Sequence, residues 1–315
     1  VNTLKKVRGG TAPNISYNLA LLGEKPVIFG SAGIDFAEYQ EWLDENNVDT
    51  SKIKIIEDLY TASCFITTDL ANNQLTGFYP GAMSMDKDLS LKDTDLTDVA
   101  MVIIAPTEPS AMIRWTQECK ELNIPYMFDP GMQIPRFTGE ELIKGIMGSE
   151  IAIFNEYEYT LMLQRTGLSE GDMLENVKIV VETLGAKGVM IRTKTERVYV
   201  PAAQETRVVN PTGVGDAFRA GVLKGYFEGV SLEQMGKFGN ISAVYAIEHA
   251  GATEHTFSIE EYMQRFNENY AHSRPQQSSR IQPQPLAPPA TGFLLQKNYC
   301  KTSSTRRFLA RPSSL

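Results

Sequence analysis

The chain of 315 residues is 42% hydrophobic and 22% charged, enough apolar content for one large domain or two modest ones. Its net charge of −8 argues against a general nucleic-acid or membrane-surface binder. Three scattered cysteines, Cys64, Cys119 and Cys300, make no metal-ligand or disulfide-framework spacing and fit a reducing cytoplasm, and the longest apolar run, near "VAMVIIAP", is too short to cross a bilayer.

The chain opens on Val1 in mid-pattern, as a fragment would. From residue 15 to residue 270 two periodicities then alternate. "NISYNLALLG" has helical spacing and runs into "KPVIFGSAG", a β-branched segment that reads as a buried strand. "AEYQEWLDENN" is helical again. Residues 61–83, "TASCFITTDLANNQLTGFYPGAM", break the rhythm: two alternating strands around "LANNQ" predict an antiparallel hairpin, either a sheet edge or a flap. Further on, the strands "VAMVIIAP", "IPYMFDP", "EIAIFN" and "GVMIRT" are interleaved with the helical patterns "PSAMIRWTQECKELN" and "ENVKIVVETLG". Such alternation predicts an α/β fold, a mainly parallel sheet with helices on both faces. After Tyr270 the composition changes. "SRPQQSSRIQPQPLAPPATG" cannot bury enough apolar surface to fold. From Ala271 onward there are seven Lys or Arg and no acid, so the −8 divides into +7 here and −15 before it. The expectation is a folded unit over 1–270 and a disordered or unrelated basic tail over 271–315.

Chemistry concentrates in "VVNPTGVGDAFRAG", residues 208–221, where a β-branched run, read as a strand end, meets two glycines and a helix start. Gly213 and Gly215 permit backbone geometries and close approaches that side chains block. The free amides and dipole of a helix N-terminus attract an anion, while an aspartate such as Asp216 also serves there as a plain cap. No Walker-type phosphate loop is present, and Phe218 stands where a dinucleotide fingerprint wants its third glycine. His249, His255 and His272 show no ligand spacing and read as surface or loop residues.

"NPTGVGDAFRAG" closely resembles the C-terminal signature of the ribokinase-like family, also called the PfkB carbohydrate kinases. "RGGTAPNISYNLALLG" resembles its N-terminal signature, and "NEYE", "TLGAKG" and "GSAGIDFAEYQEWLDENNVDTS" follow further family patterns over residues 7 to about 269. The resemblance implies a three-layer α/β sandwich with a small β lid, ATP and Mg²⁺ as cofactors, and phosphoryl transfer to an alcohol. Asp216 would be the catalytic base, and the amides of Gly213, Val214 and Gly215 the anion hole. Asn155 and Glu158 would hold magnesium and its waters. Thr183, Gly185 and Gly188 would line the nucleotide's ribose-phosphate side, with Gly251 and Ala252 of "EHAGATEH" bordering adenine. Gly9, Gly10 and Asn14 fall on the acceptor side, Asp35 and Asp129 sit at strand ends beside it, and Phe65, Phe78 and Tyr79 come from the lid.

Two departures stand out. The family's first strand, with its acidic grip on substrate hydroxyls, has no counterpart here, and Asn210 replaces an aspartate linked to a monovalent-cation site, which leaves K⁺ open. "GGTAPNISYNLALLG", "FYPGAM" and "FDPGMQIPRFTGEEL" look most like an adenosine kinase-like subgroup, implying a nucleoside acceptor phosphorylated at its 5′-hydroxyl. A sugar kinase of the ribokinase or fructokinase type, and a catalytically impaired ligand binder, are the alternatives. The partner is then a small molecule, with pairing of two subunits through their lids as the family's usual assembly.

Overall fold

A computed structural model of the chain describes residues 5–68, 74–270 and 307–310. Helix α1 (Thr11–Leu21) feeds β1 (Lys25–Gly33), and α2 (Ala37–Glu45) feeds β2 (Asp49–Ile56). The hairpin of β3 (Ser63–Thr68) and β4 (Gln74–Tyr79) follows, then β5 (Val99–Ile104), α3 (Pro109–Glu121), β6 (Tyr126–Phe128), α4 (Gly139–Ile146) and β7 (Ile151–Asn155). Next come α5 (Glu156–Thr166), α6 (Glu170–Asn176), β8 (Ile179–Thr183), β9 (Val189–Arg192) and β10 (Arg197–Val200). Helices α7 (Val214–Glu228), α8 (Leu232–Ile247) and α9 (Ile259–Tyr270) precede β11 (Arg307–Ala310).

Nine strands form one sheet in the order β10-β9-β8-β7-β6-β5-β11-β1-β2. Pairing is parallel from β8 through to β2 and antiparallel at the β8–β9–β10 end. The two-residue period of the strands divides their side chains between two cores. Met101, Ile103, Met127, Ile151, Ile153 and Val181 face one core, with α1, α7 and α8. Val102, Ile104, Tyr126, Phe128, Ala152, Phe154 and Val180 face the other, with α3, α4 and α5. Both faces being buried, the strands read as continuous apolar runs, and the result is a three-layer sandwich. Capping boxes fix the starts of α4, α5 and α6 through Thr138–Glu141, Asn155–Glu158 and Ser169–Asp172.

Three expectations differ from what is seen. "ENVKIVVETLG" contains strand β8 rather than a helix, because its β-branched Ile179–Thr183 run is short and buried between β7 and β9. A short apolar run fits either period, and only neighbours decide. Val208 and Val209 are exposed and form no strand; the Val209 amide donates instead to the Ile247 carbonyl at the end of α8. In the basic tail, Arg307–Ala310 is a strand, parallel to both β5 and β1. It occupies the position between them, where two facing edges would otherwise leave main-chain groups unpaired in mid-sheet. The remainder of the expectation for 271–315 lies outside the described residues.

The β3–β4 hairpin is a separate two-stranded sheet, registered from Ser63 opposite Tyr79 to Thr68 opposite Gln74. It is therefore a flap and not an edge of the main sheet. Among the described residues no helix is long and apolar enough to cross a membrane.

Candidate active site

The start of α1 and the end of parallel strand β6 meet the first turns of α7 through Asn14–Asp216 and Asp129–Arg219, and Glu158 acts on the same Arg219. Gly213 is the N-cap of α7 at φ 79°, a left-handed backbone that favours glycine. A Cβ at this position would lie 2.3 Å from the Cβ of Ala252, so the bare turn also lets the 251–252 loop close on it. The start of α7 and the Gly251–Ala252 loop are thus neighbours. The amide of Val214 already makes a long 3.3 Å bond to the Pro211 carbonyl. Asn210 braces the same turn, donating from Nδ2 to the Ala250 carbonyl (2.6 Å) and accepting the Thr212 amide on Oδ1 (2.9 Å).

Asp216 stands in the first turn of α7, half-buried. Its Oδ2 accepts a 2.8 Å hydrogen bond from Asn14 Nδ2, 202 residues away on α1. A long-range side-chain partner rather than an amide of its own helix separates this carboxylate from a plain cap. Lost solvation pushes its pKa up to about 6, against the opposing pull of the Arg219 guanidinium and the Asn14 bond, with Asp129 adding to the rise. It is still mostly ionised at neutral pH. Asn14 is itself buried, and its Oδ1 has no hydrogen-bond partner among the described residues.

Arg219 lies one turn further along α7, a residue for which the family resemblance implies no role. Its Nε and Nη2 fork onto the two oxygens of Asp129, the Nη2–Oδ1 bond being 2.7 Å, and Nη1 donates to the Gly215 carbonyl at 3.0 Å. Asp129, fully buried just beyond β6, therefore has both oxygens committed to Arg219. Burial opposes the charge of Arg219, but Asp129, Asp216 and Glu158 together hold it protonated. Burial raises the pKa of the Glu158 carboxyl, with Arg219 pulling it down and Asp129 pushing it up. Asn155 and Glu158 are reciprocal caps: Asn155 Oδ1 accepts the Glu158 amide and Glu158 Oε2 accepts the Asn155 amide, each at 2.8 Å. Three carboxylates against one guanidinium leave an excess of negative charge here. No group of three or more His, Cys, Asp or Glu among the described residues forms a metal cage. Mg²⁺, which keeps most of its waters and needs few protein ligands, fits such a site through Glu158.

On the acceptor side Gly10 caps α1 at φ 96°, and the Gly9 carbonyl accepts the Tyr39 hydroxyl at 2.9 Å. Asp35 accepts the Thr61 amide at 2.7 Å, tying the end of β1 to the root of the hairpin. Partial burial works to raise this carboxyl, yet the hydrogen bonds from Thr61 leave it below its ordinary range. Phe65, Phe78 and Tyr79 are 65%, 45% and 39% exposed, so these lid aromatics are not core. Thr183 pairs with Asn155 across β8 and β7. Gly185 and Gly188 make the following turn; a Cβ on Gly188 would strike the Val200 carbonyl at 2.1 Å. A separate cavity of about 1000 Å³, lined by Thr206, Tyr245, Glu261, Arg265 and Tyr270, contains none of these residues.

His255 corrects the surface reading of the histidines. It is fully buried, its Nε2 2.8 Å from Asn18 Oδ1, and burial lowers its pKa to about 4, so the ring is neutral. Asn18 in turn donates to the Asn14 carbonyl at 2.9 Å. No local pattern could reveal this link, since its ends are 237 residues apart. His249 is half-buried, with Nδ1 2.8 Å from the Tyr245 carbonyl, and His272 lies outside the described residues.

Residues 1–258 match the model of the pfkB family of carbohydrate kinases. A nucleoside kinase of Methanocaldococcus jannaschii is 29% identical over 253 residues, covering 80% of this chain and 82% of the relative. The structure of a Burkholderia thailandensis nucleoside kinase in complex with inosine superposes with a TM-score of 0.82 at 32% identity, covering 87% of this chain and 92% of that one. The same Burkholderia enzyme in complex with ADP-inosine gives 0.79 at 31% identity, covering 90% of each chain.

Proposed function

The chain belongs to the pfkB family of carbohydrate kinases, phosphotransferases with an alcohol acceptor, and from that premise we propose that it transfers the γ-phosphoryl group of ATP to the 5′-hydroxyl of a nucleoside, adenosine foremost. The contact that carries this reading is Asn14 Nδ2 on Asp216 Oδ2 at 2.8 Å. It holds the carboxylate that would act as base, and the buried, unpartnered Oδ1 of the same asparagine offers an acceptor for a substrate hydroxyl. With another substrate hydroxyl held there, the reacting hydroxyl would donate to Asp216; its oxygen attacks the γ-phosphorus, the bond to the ADP oxygen breaks, and its proton passes to Asp216. Little covalent work falls to the protein; position and charge dominate. The amides of Gly213, Val214 and Gly215 line the developing charge at the positive end of α7. Magnesium held near Glu158 would neutralise phosphate charge when bound, and Asn155, Thr183, Gly185 and Gly188 with Gly251 and Ala252 would border the nucleotide.

A nucleoside rather than a bare sugar is favoured by the likeness to kinases named for nucleosides, one of them holding inosine. An exposed lid aromatic suits a flat base: by the register of the hairpin Phe78 lies on one of its faces and Phe65 with Tyr79 on the other. Exposed Ile66 and Leu75 on the same hairpin also suit pairing with the lid of a second subunit. The test is an ATP-consumption screen over adenosine, inosine, other nucleosides, ribose and fructose, with Mg²⁺ and with or without K⁺. A nucleoside 5′-monophosphate identified by mass is the expected product. Turnover confined to ribose or fructose would replace the nucleoside by a sugar, and no dependence on K⁺ would match the committed side chain of Asn210.

A further inference from the structure

We infer that Arg219 is the positioning residue of this site: one guanidinium ties Asp129 at the end of the sheet to the Gly215 carbonyl in α7, and so fixes both the anion-receiving turn and the charge beside Asp216. The inference rests on the reading of Asp216 as base.

The geometry leaves Arg219 little other work. It sits one turn after Asp216 and spends three nitrogens on two fixed points. One of these, Asp129, is itself secured by its amide to the Ile104 carbonyl at 3.0 Å, so it moves with the sheet. The other is the carbonyl of the residue between Gly213 and Asp216 that forms the turn. A planar fork with fixed donors can span both points; a lysine ammonium, a single point of charge, cannot reproduce the pair. A Cβ on Gly215 would already lie 3.0 Å from Arg219 Nη1, so the turn is built tightly round this side chain. The charged and titratable groups acting around Asp216 and Arg219 are Asp129 after β6, Glu158 on α5 and Tyr39 on α2, which burial keeps protonated. Arg219 is the positive member of that set. Removing it would leave three buried or half-buried carboxylates facing one another.

The test compares Arg219→Gln, Arg219→Lys and Asp129→Asn in the full chain, by steady-state turnover against pH and by ¹³C NMR titration of the Asp216 carboxyl. Both arginine variants are expected to lose about 100-fold in kcat with little change in acceptor KM, as misplacement of a reacting group does. Arg219→Gln should move the Asp216 titration up by about one pH unit or more, and Asp129→Asn should move it down, while Arg219→Lys leaves it near the wild-type value. Guanidinium ion should restore part of the turnover of Arg219→Ala. Opposite displacements by neighbouring substitutions are not what a purely structural bond would produce. Near-wild-type kcat in Arg219→Gln, or an Asp216 titration that neither Arg219→Gln nor Asp129→Asn moves, overturns the inference. If Arg219→Gln fails to fold, Arg219→Lys and Asp129→Asn carry the same comparison. The NMR titration needs no turnover, so it stands apart from the base assignment, which fails separately if Asp216→Asn keeps its activity.

Discussion

The start of α7 and the β3–β4 hairpin are built on opposite principles. At α7 the polar side chains are paired and buried or half-buried: Asp216 with Asn14, Arg219 with Asp129 and Gly215. On the hairpin Phe65, Ile66, Leu75 and Phe78 are exposed on a two-stranded sheet that pairs with nothing else among the described residues. A preorganised charge cluster suits a reaction whose barrier is lowered by fixed dipoles and placement. An exposed apolar flap suits a surface that gains its contacts only when an acceptor arrives. Under the proposed function the two regions would divide reaction from choice of substrate, and substitutions in them should separate kcat from KM.

The largest effect is expected from Asp216→Asn, which keeps shape and the helix start but removes the proposed base; turnover should fall by about 10²- to 10⁴-fold while calorimetry still reports ATP binding. Retained turnover would move the base elsewhere and dissolve the contrast. Gly213→Ala comes next. Its φ of 79° is strained for a side chain and its Cβ would overlap Ala252, so melting temperature and kcat should fall together, the strain alone being about 1–3 kcal/mol. Smaller, and graded with acidity, is the pH effect. Asp216 titrates at about 6, so kcat/KM should lose activity as pH drops through that value and level off above it. Stability runs the other way. The raised pKa means the protonated carboxyl favours the folded state below about pH 4, and that contribution disappears as pH rises through about 6. Chemical denaturation at several pH values reads this trend. Smallest is Phe78→Ala on the lid, expected to raise acceptor KM by about tenfold with kcat and melting temperature nearly unchanged, because an exposed side chain contributes little to folding. A fall in kcat equal to that of the α7 variants would show the flap to be part of the machinery.

What could be read along the chain follows from the range over which each signal acts. Gly213, Gly215 and Asp216 announce a helix start because turn, glycine and acid lie within four residues, and β1 emerges at the same bounds as "KPVIFGSAG" because Pro26, Gly30 and Gly33 speak against a helix there. Ile179–Thr183 deceived the period argument, since five residues fit a helix face as well as a strand until β7 and β9 flank them. The Asn14–Asp216 and His255–Asn18 bonds join residues more than 200 positions apart and exist only once α1 is laid against α7 and against the loop between α8 and α9. Arg219 was within local reach: three residues after Asp216 it must share its helix face, and a cation beside an acid on one face is a pattern. Its partner Asp129, ninety residues earlier, was not.

The most direct measurement is a crystal structure of the chain with inosine and a non-hydrolysable ATP analogue. The account places the nucleoside 5′-oxygen about 2.6–3.2 Å from Asp216, with the γ-phosphate against the Gly213–Gly215 amides. An acceptor hydroxyl bound out of reach of Asp216, or a phosphate seated away from the start of α7, would contradict it.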